Sequence, residues 1–77
     1  MKILDATIIT LKNLGGIGHY SDIYREYENV VGYSLSNNQR AGIRACIERH
    51  SSDSEVFQGN DIFYSVKGKG KGVWGLR

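Results

Sequence analysis

Residues 67–72 read Lys-Gly-Lys-Gly-Lys-Gly, and no other stretch limits the fold so tightly. A glycine costs about 1 kcal/mol relative to alanine in a helix interior. It also weakens a strand interior, where it leaves nothing to pack. Three in alternation make this segment a loop, and Lys67, Lys69 and Lys71 make it a basic one. Before it stands Ile62-Phe63-Tyr64-Ser65-Val66, aromatic and β-branched, which reads as a strand. After it comes Val73-Trp74-Gly75-Leu76, a second strand. The chain therefore predicts a hairpin with a slim, positively charged tip.

The first fifty residues carry a different period. Leu4, Ile8, Leu11 and Leu14, with Ile9 beside them, recur at helical spacing from Ile3 to Leu14. Gly15-Gly16 stops that helix. Ser21 is the expected N-cap of a second helix, since its hydroxyl can accept from an orphan amide. Asp22 adds favourable charge at that end. Ile23, Tyr24, Tyr27, Val30 and Val31 continue the pattern to Gly32, a C-terminal stop. Ser36-Asn37-Asn38-Gln39 matches a capping box. Ile43, Cys46 and Ile47 then form one apolar face of a third helix, which runs to about Arg49. A polar loop follows at residues 50–54. Glu55-Val56-Phe57 reads as a short extended piece, and Gln58-Gly59-Asn60-Asp61 as a turn. Three helices followed by a β-hairpin predict an α+β fold, a winged helix-turn-helix in a single domain over residues 1–77.

Seventy-seven residues bury a small core, so the fold should be marginal in stability. The lone Cys46 can make neither an internal disulfide nor a zinc knuckle and is expected in the core. No apolar run approaches the roughly 20 residues of a membrane span. Met1-Lys2-Ile3-Leu4-Asp5 meets an acid at once, unlike a signal peptide. A cytoplasmic location is the resulting expectation. The net charge is only +2, but it is unevenly placed. Residues 67–77 hold four cations and no acid, and residues 36–50 hold three arginines against Glu48. The remaining segments are net acidic. Two basic segments in a nearly neutral chain point to nucleic acid.

The third helix has the groups that base edges require. Asn37, Asn38, Arg40 and Arg44 can hydrogen-bond to bases or phosphates. Arginine can chelate guanine, and asparagine can pair with adenine. Ala41, Gly42 and Ala45 keep part of the face low, which suits close approach to a methyl in the groove. Arginine and asparagine also populate ordinary solvated helix faces. The lysines of the loop can each neutralise a phosphate, or equally deter edge-to-edge aggregation. At the start of the second helix, Tyr20 and Ser21 would lie near a phosphate. Tyr20 can instead staple the helix, with His19 in the turn. Ser51 and Ser52 offer hydroxyls to a phosphate or to local turns. His50, the serines and Asp53 do not amount to a catalytic triad, which needs an oriented base and an oxyanion site. His19 and His50 lack the partners a metal needs. The loop also lacks the phosphate-binding motif of nucleotide enzymes. Trp74 shares a strand face with Leu76 and suits the core, or else an aromatic platform for a base. No catalysis and no cofactor are expected.

At this point the chain resembles a known group. Gly18-His19-Tyr20-Ser21-Asp22-Ile23-Tyr24, Gly42-Ile43-Arg44, residues 47–54, Phe63-Tyr64-Ser65-Val66 and residues 68–77 look like the winged-helix domain of bacterial and phage restriction endonucleases. Such domains are typically fused to an HNH-type or other nuclease domain, and some read N6-methyladenine in duplex DNA. The resemblance implies that the low face of the third helix lies against the adenine methyl. It implies as well that the basic wing holds the backbone. The residues themselves permit this reading without requiring it, since the same face suits thymine. DNA binding without methyl dependence, and a winged helix that pairs with protein through its first helix or wing, are the alternatives. The 77 residues contain no nuclease pattern, so any nuclease would be a fused partner.

Overall fold

The computed structural model describes residues 1–68 and 70–77. Its elements run α1 (Ile3–Asn13), β1 (Ile17–His19), α2 (Tyr20–Val31), α3 (Asn37–Arg49), β2 (Phe63–Ser65) and β3 (Val73–Leu76). The strands form one antiparallel sheet in the order β1-β3-β2. This α+β arrangement is compatible with a winged-helix layout.

α1 packs against both other helices, and its buried stripe is not the most aliphatic one. Ala6, Thr7, Thr10 and Leu11 are buried, whereas Leu4, Ile8 and Leu14 are only partly covered and Ile9 is exposed. Small side chains at the centre of the contact let the helices approach. The two threonine hydroxyls avoid a desolvation cost by donating backward within the helix. Thr7 Oγ1 donates to the Ile3 carbonyl and Thr10 Oγ1 to that of Ala6, each at 2.7 Å.

α2 starts two residues earlier than its sequence suggests, and Ser21 is not its cap. His19 occupies that position, and its Nδ1 accepts from the Ser21 amide at 3.1 Å. Residues 17–19 are too short to show strand periodicity. They become a strand by pairing with β3, Ile17 opposite Gly75 and His19 opposite Val73. That pairing brings His19 in extended geometry to the helix start. At the other end Gly32 takes a left-handed φ of 82°, and its amide donates to the Glu28 carbonyl. The chain then turns through buried Leu35 into α3. The capping box forms as expected, with Gln39 N donating to Ser36 Oγ at 3.2 Å and Ser36 N donating to Gln39 Oε1 at 2.8 Å.

Ile23, Tyr27, Ile43, Ile47, Phe63 and Trp74 complete the core with the α1 stripe. Cys46 is buried beside them, and burial raises its thiol above the ordinary value. Residues 55–57 are not extended. The outer edge of β2 is already filled, because the His50 carbonyl accepts from both Ile62 N and Phe63 N, and Asp53 accepts from Ser65 N. With no edge to join, this segment turns over the surface and exposes Val56 and Phe57. Beyond the sheet, Arg77 donates from Nε to Asp61 at 2.8 Å and lies 3.3 Å from Asp53, clasping the loop to the chain's last residue.

Gly42 lies on the α1 side of α3, away from the exposed face. A Cβ there would meet only Ile3 Cδ1, at an ordinary 3.7 Å. The low surface expected on the helix is therefore made by Ala41 and Ala45 without Gly42. Gly42→Ala should stabilise the protein by about 1 kcal/mol through helix propensity. Thermal denaturation followed by circular dichroism should show the midpoint rise by roughly 4–8 °C. A lower midpoint would mean that α1 and α3 pack more tightly here than the structure has them.

Candidate nucleic-acid interface

The exposed side of α3 follows from its sequence spacing. Asn37, Ala41, Arg44 and Glu48 succeed one another at steps of four, three and four residues, which return to one stripe of a helix. Asn37, Asn38, Ala41 and Arg44 are exposed, and Ala45 and Glu48 are half-buried. Arg40 sits at the margin, and its Nη1 donates to Asn37 Oδ1 at 2.8 Å. The expected base-reading residues thus share a surface, with Glu48 added to it.

α2 supports this stripe from the side. Tyr20 and Tyr24 are one helical turn apart, and their rings stack with centroids 5.8 Å apart and planes 9° from parallel. Tyr24 Oη accepts from Arg44 Nη1 at 2.9 Å. Tyr20 Oη donates to Glu48 Oε2 at 3.2 Å. Two tyrosines of one helix therefore hold two charged residues of the next. The accepting hydroxyl of Tyr24 favours the charged guanidinium and raises its affinity for the proton. Tyr20 is pushed well above the ordinary tyrosine value, first by burial and then by the carboxylate of Glu48.

The shift on Tyr20 has a definite sign for stability. Its folded state favours the neutral phenol, whereas the unfolded chain ionises at 10.0. Stability should therefore be lost as pH rises above 10.0. Tyr20→Phe removes this contribution. Urea midpoints measured between pH 9 and 11 should decline less steeply for the variant than for the natural protein. Parallel declines would show that Tyr20 is not held neutral.

The wing is tied to the same place. Tyr20 N donates to the Gly72 carbonyl at 2.9 Å, so the first turn of α2 anchors the base of the basic loop. Gly72 has φ +71°, and a Cβ there would lie 3.2 Å from His19 Nε2. Both the conformation and the close approach call for glycine. Lys67 and Lys71 are exposed on this loop. Lys69 lies outside the described residues.

Between the wing and the loop that follows α3 is an open cleft of about 500 Å³, which Glu48 near the end of α3 also lines. Tyr20, Trp74, Glu48 and Asp53 line it, with wing glycines on one wall. Trp74 belongs to the core, with its ring centroid 6.4 Å from that of Tyr20. It meets the cleft at one edge, so core and cleft are both served.

The remaining candidates are not on this surface in the way expected. Ser51 is fully buried, and its Oγ accepts from Asp53 N in a local turn, so it presents nothing to a phosphate. Ser52 is exposed, but its hydroxyl and amide both donate to Asp61, at 2.6 and 2.9 Å. These bonds, ahead of the Arg77 contact, hold the Asp61 carboxyl below its ordinary range. The Ser21 amide is occupied by His19, and its hydroxyl lies 3.0 Å from the same ring nitrogen. Tyr20 spends its amide on the wing and its hydroxyl on Glu48. Among the described residues no three His, Cys, Asp or Glu side chains converge as a metal site would need. None of the helices among them is long and apolar enough to cross a membrane.

No protein-family model, curated protein or solved structure matches the chain. Glu48 and Tyr24 are the residues that sequence reasoning did not select. Their signal was faint: Tyr20 and Tyr24, and Arg44 and Glu48, are each spaced four apart, but nothing in either helix alone says that the pairs meet.

Proposed function

We propose that this chain is a non-catalytic winged-helix module that reads duplex DNA. α3 enters the major groove, with Asn37, Asn38, Arg40 and Arg44 toward bases and flanking phosphates. Lys67, Lys69 and Lys71 of the wing hold the backbone. The observation that carries this reading is the anchored pairing of the two basic elements. Tyr24 positions Arg44 on α3, while Tyr20 of the same helix fixes the wing through Gly72. A rigid reader beside a cationic holder is the division of labour that duplex recognition uses.

Ala41 and Ala45 leave a low surface beside Arg44, which suits a methyl group in the groove. Together with the resemblance to restriction-system domains, this supports N6-methyladenine as the mark that is read and a fused nuclease as the partner. The test is fluorescence anisotropy with matched methylated and unmethylated duplexes over a range of salt. Binding should weaken steeply with salt, and the methylated duplex should bind more tightly. Equal affinities would remove the methyl preference and leave general duplex binding.

One observation favours a protein-interaction module instead. Ile3 and Tyr33 are exposed beside a small groove lined by Leu35 and Ile43, on the α1 side of the molecule. No binding to any duplex at low salt, together with dimers in sizing experiments, would move the function to that face.

A further inference from the structure

We infer that Arg44 and Glu48 act together as a two-residue reader. Arg44 takes a guanine, and Glu48 takes the exocyclic amino group of a base in a neighbouring pair, cytosine N4 or adenine N6. Tyr24 and Tyr20 are their positioning residues. This inference rests on the duplex-reading function proposed above and adds its base specificity.

The chemistry begins with a carboxylate in an unusual place. Glu48 lies on the stripe of Asn37, Ala41 and Arg44, in the cleft that the wing glycines also line. A negative charge there repels phosphate and lowers affinity for every duplex alike. It becomes favourable only where it accepts a hydrogen from a base, and amino groups on the major-groove edge belong to cytosine and adenine. Guanine and thymine present carbonyl oxygens at the corresponding positions and would be repelled. The same group thus attracts one class of base edge and excludes the other.

The geometry keeps both charges available. Arg44 and Glu48 are four residues apart, a spacing at which opposite charges on a helix commonly pair with each other. Here each is bonded sideways to a tyrosine of α2. Arg44 commits one of its five N–H donors to Tyr24, so a guanidinium edge is left for a bidentate contact. Glu48 accepts one bond from Tyr20, and a carboxylate has about four lone-pair sites. The stacked tyrosine rings fix the distance between the two holders. Preorganised donors and acceptors bind without the entropy cost of ordering long side chains.

The cleft leaves the half-buried Glu48 open on one side. It opens between the wing and residues 53–56, and Glu48, Asp53 and Glu55 line it together with the Tyr20 and Trp74 rings. A base edge in the groove can reach Glu48 from there without displacing the core.

The experiment is selection from a random-sequence duplex library with the full chain, repeated with Glu48→Gln, Tyr20→Phe and Tyr24→Phe. Affinities are then measured on duplexes that differ at one base pair. The natural protein should prefer a guanine and, in a neighbouring pair, cytosine or adenine over guanine or thymine by about tenfold or more. Comparing cytosine with adenine at that position tells which amino group is read. Glu48→Gln offers a donor as well as an acceptor, so that preference should collapse to within about threefold while the guanine preference stays. Tyr24→Phe should weaken the guanine preference, and Tyr20→Phe the amino-base preference. Both should leave the salt slope of binding nearly unchanged, and each should weaken its own base preference while sparing the other, a split that a merely structural role would not give. If Glu48→Gln keeps the full natural preference, the inference is overturned and duplex reading stands. If the natural protein binds no duplex at low salt, the function proposed above falls and this inference with it.

Discussion

Phe63→Ala should cost about 3–5 kcal/mol, among the largest losses expected from a core truncation in this protein. Phe63 has no exposed surface and opens β2. Its amide donates to the His50 carbonyl at the end of α3, and it stands opposite Leu76 of β3. The ring thus joins the helical half of the core to the sheet. Truncation leaves a cavity that the sheet cannot easily close, because β3 is paired on both sides and β2 is held by β3 and by the His50 and Asp53 acceptors. A 77-residue domain has roughly 4–12 kcal/mol of stability in total, so a large share of it would be lost. Urea denaturation at 25 °C measures this directly. Phe57 gives the contrast, since its ring is partly exposed on the loop. Phe57→Ala should stay within about 0.5 kcal/mol of the natural protein. Similar losses for both would place the centre of the core elsewhere.

The second large effect concerns the wing. Lys67→Ala combined with Lys71→Ala should reduce duplex affinity about a hundredfold near 0.1 M salt, with each phosphate contact contributing close to one power of ten at that concentration. The slope of log affinity against log salt should become shallower by about two. Preference among sequences should be unaffected, because phosphate contacts carry no base information. Arg44→Ala supplies the opposite signature, a loss of discrimination worth about 1–3 kcal/mol with a smaller change in slope. Anisotropy titrations at four or five salt concentrations separate the two. If the double lysine variant keeps its slope, the wing does not touch the backbone.

Both predictions depend on placements that were legible to different degrees. The hairpin and its basic loop could be read because glycine at every second position leaves a chain few choices. The third helix could be read because Ser36 and Gln39 form a local capping box that needs no tertiary partner. β1 could not be read. Three residues, one of them glycine, carry no periodicity, and they are extended only because β3 offers them an edge. The same pairing moves the start of α2 and replaces Ser21 by His19 as its cap. Residues 55–57 failed in the other direction. They carry β-branched and aromatic side chains, yet the edge they might have joined is occupied by the His50 carbonyl and Asp53.

The stripe on α3 shows the same division within the candidate site. Asn37, Asn38, Arg40, Ala41, Arg44 and Ala45 were legible as one polar, low face from helical spacing alone. Ser51 was not, because its burial depends on how the loop after α3 folds back. Glu48 was visible on that face but looked like one more solvated charge. Its meaning depends on Tyr20, twenty-eight residues earlier.

The sequence by itself determined the local periods, the N-terminal cap of α3, the glycine stops and the position of the basic loop, since each of these is set by neighbours within a few residues. The tertiary structure alone decided the central place of β3 and the buried threonine stripe of α1. It also decided the clasp of Arg77 and the two tyrosines that hold Arg44 and Glu48. Those depend on contacts between distant segments, whose free energy appears only when the helices and the sheet bury a common core.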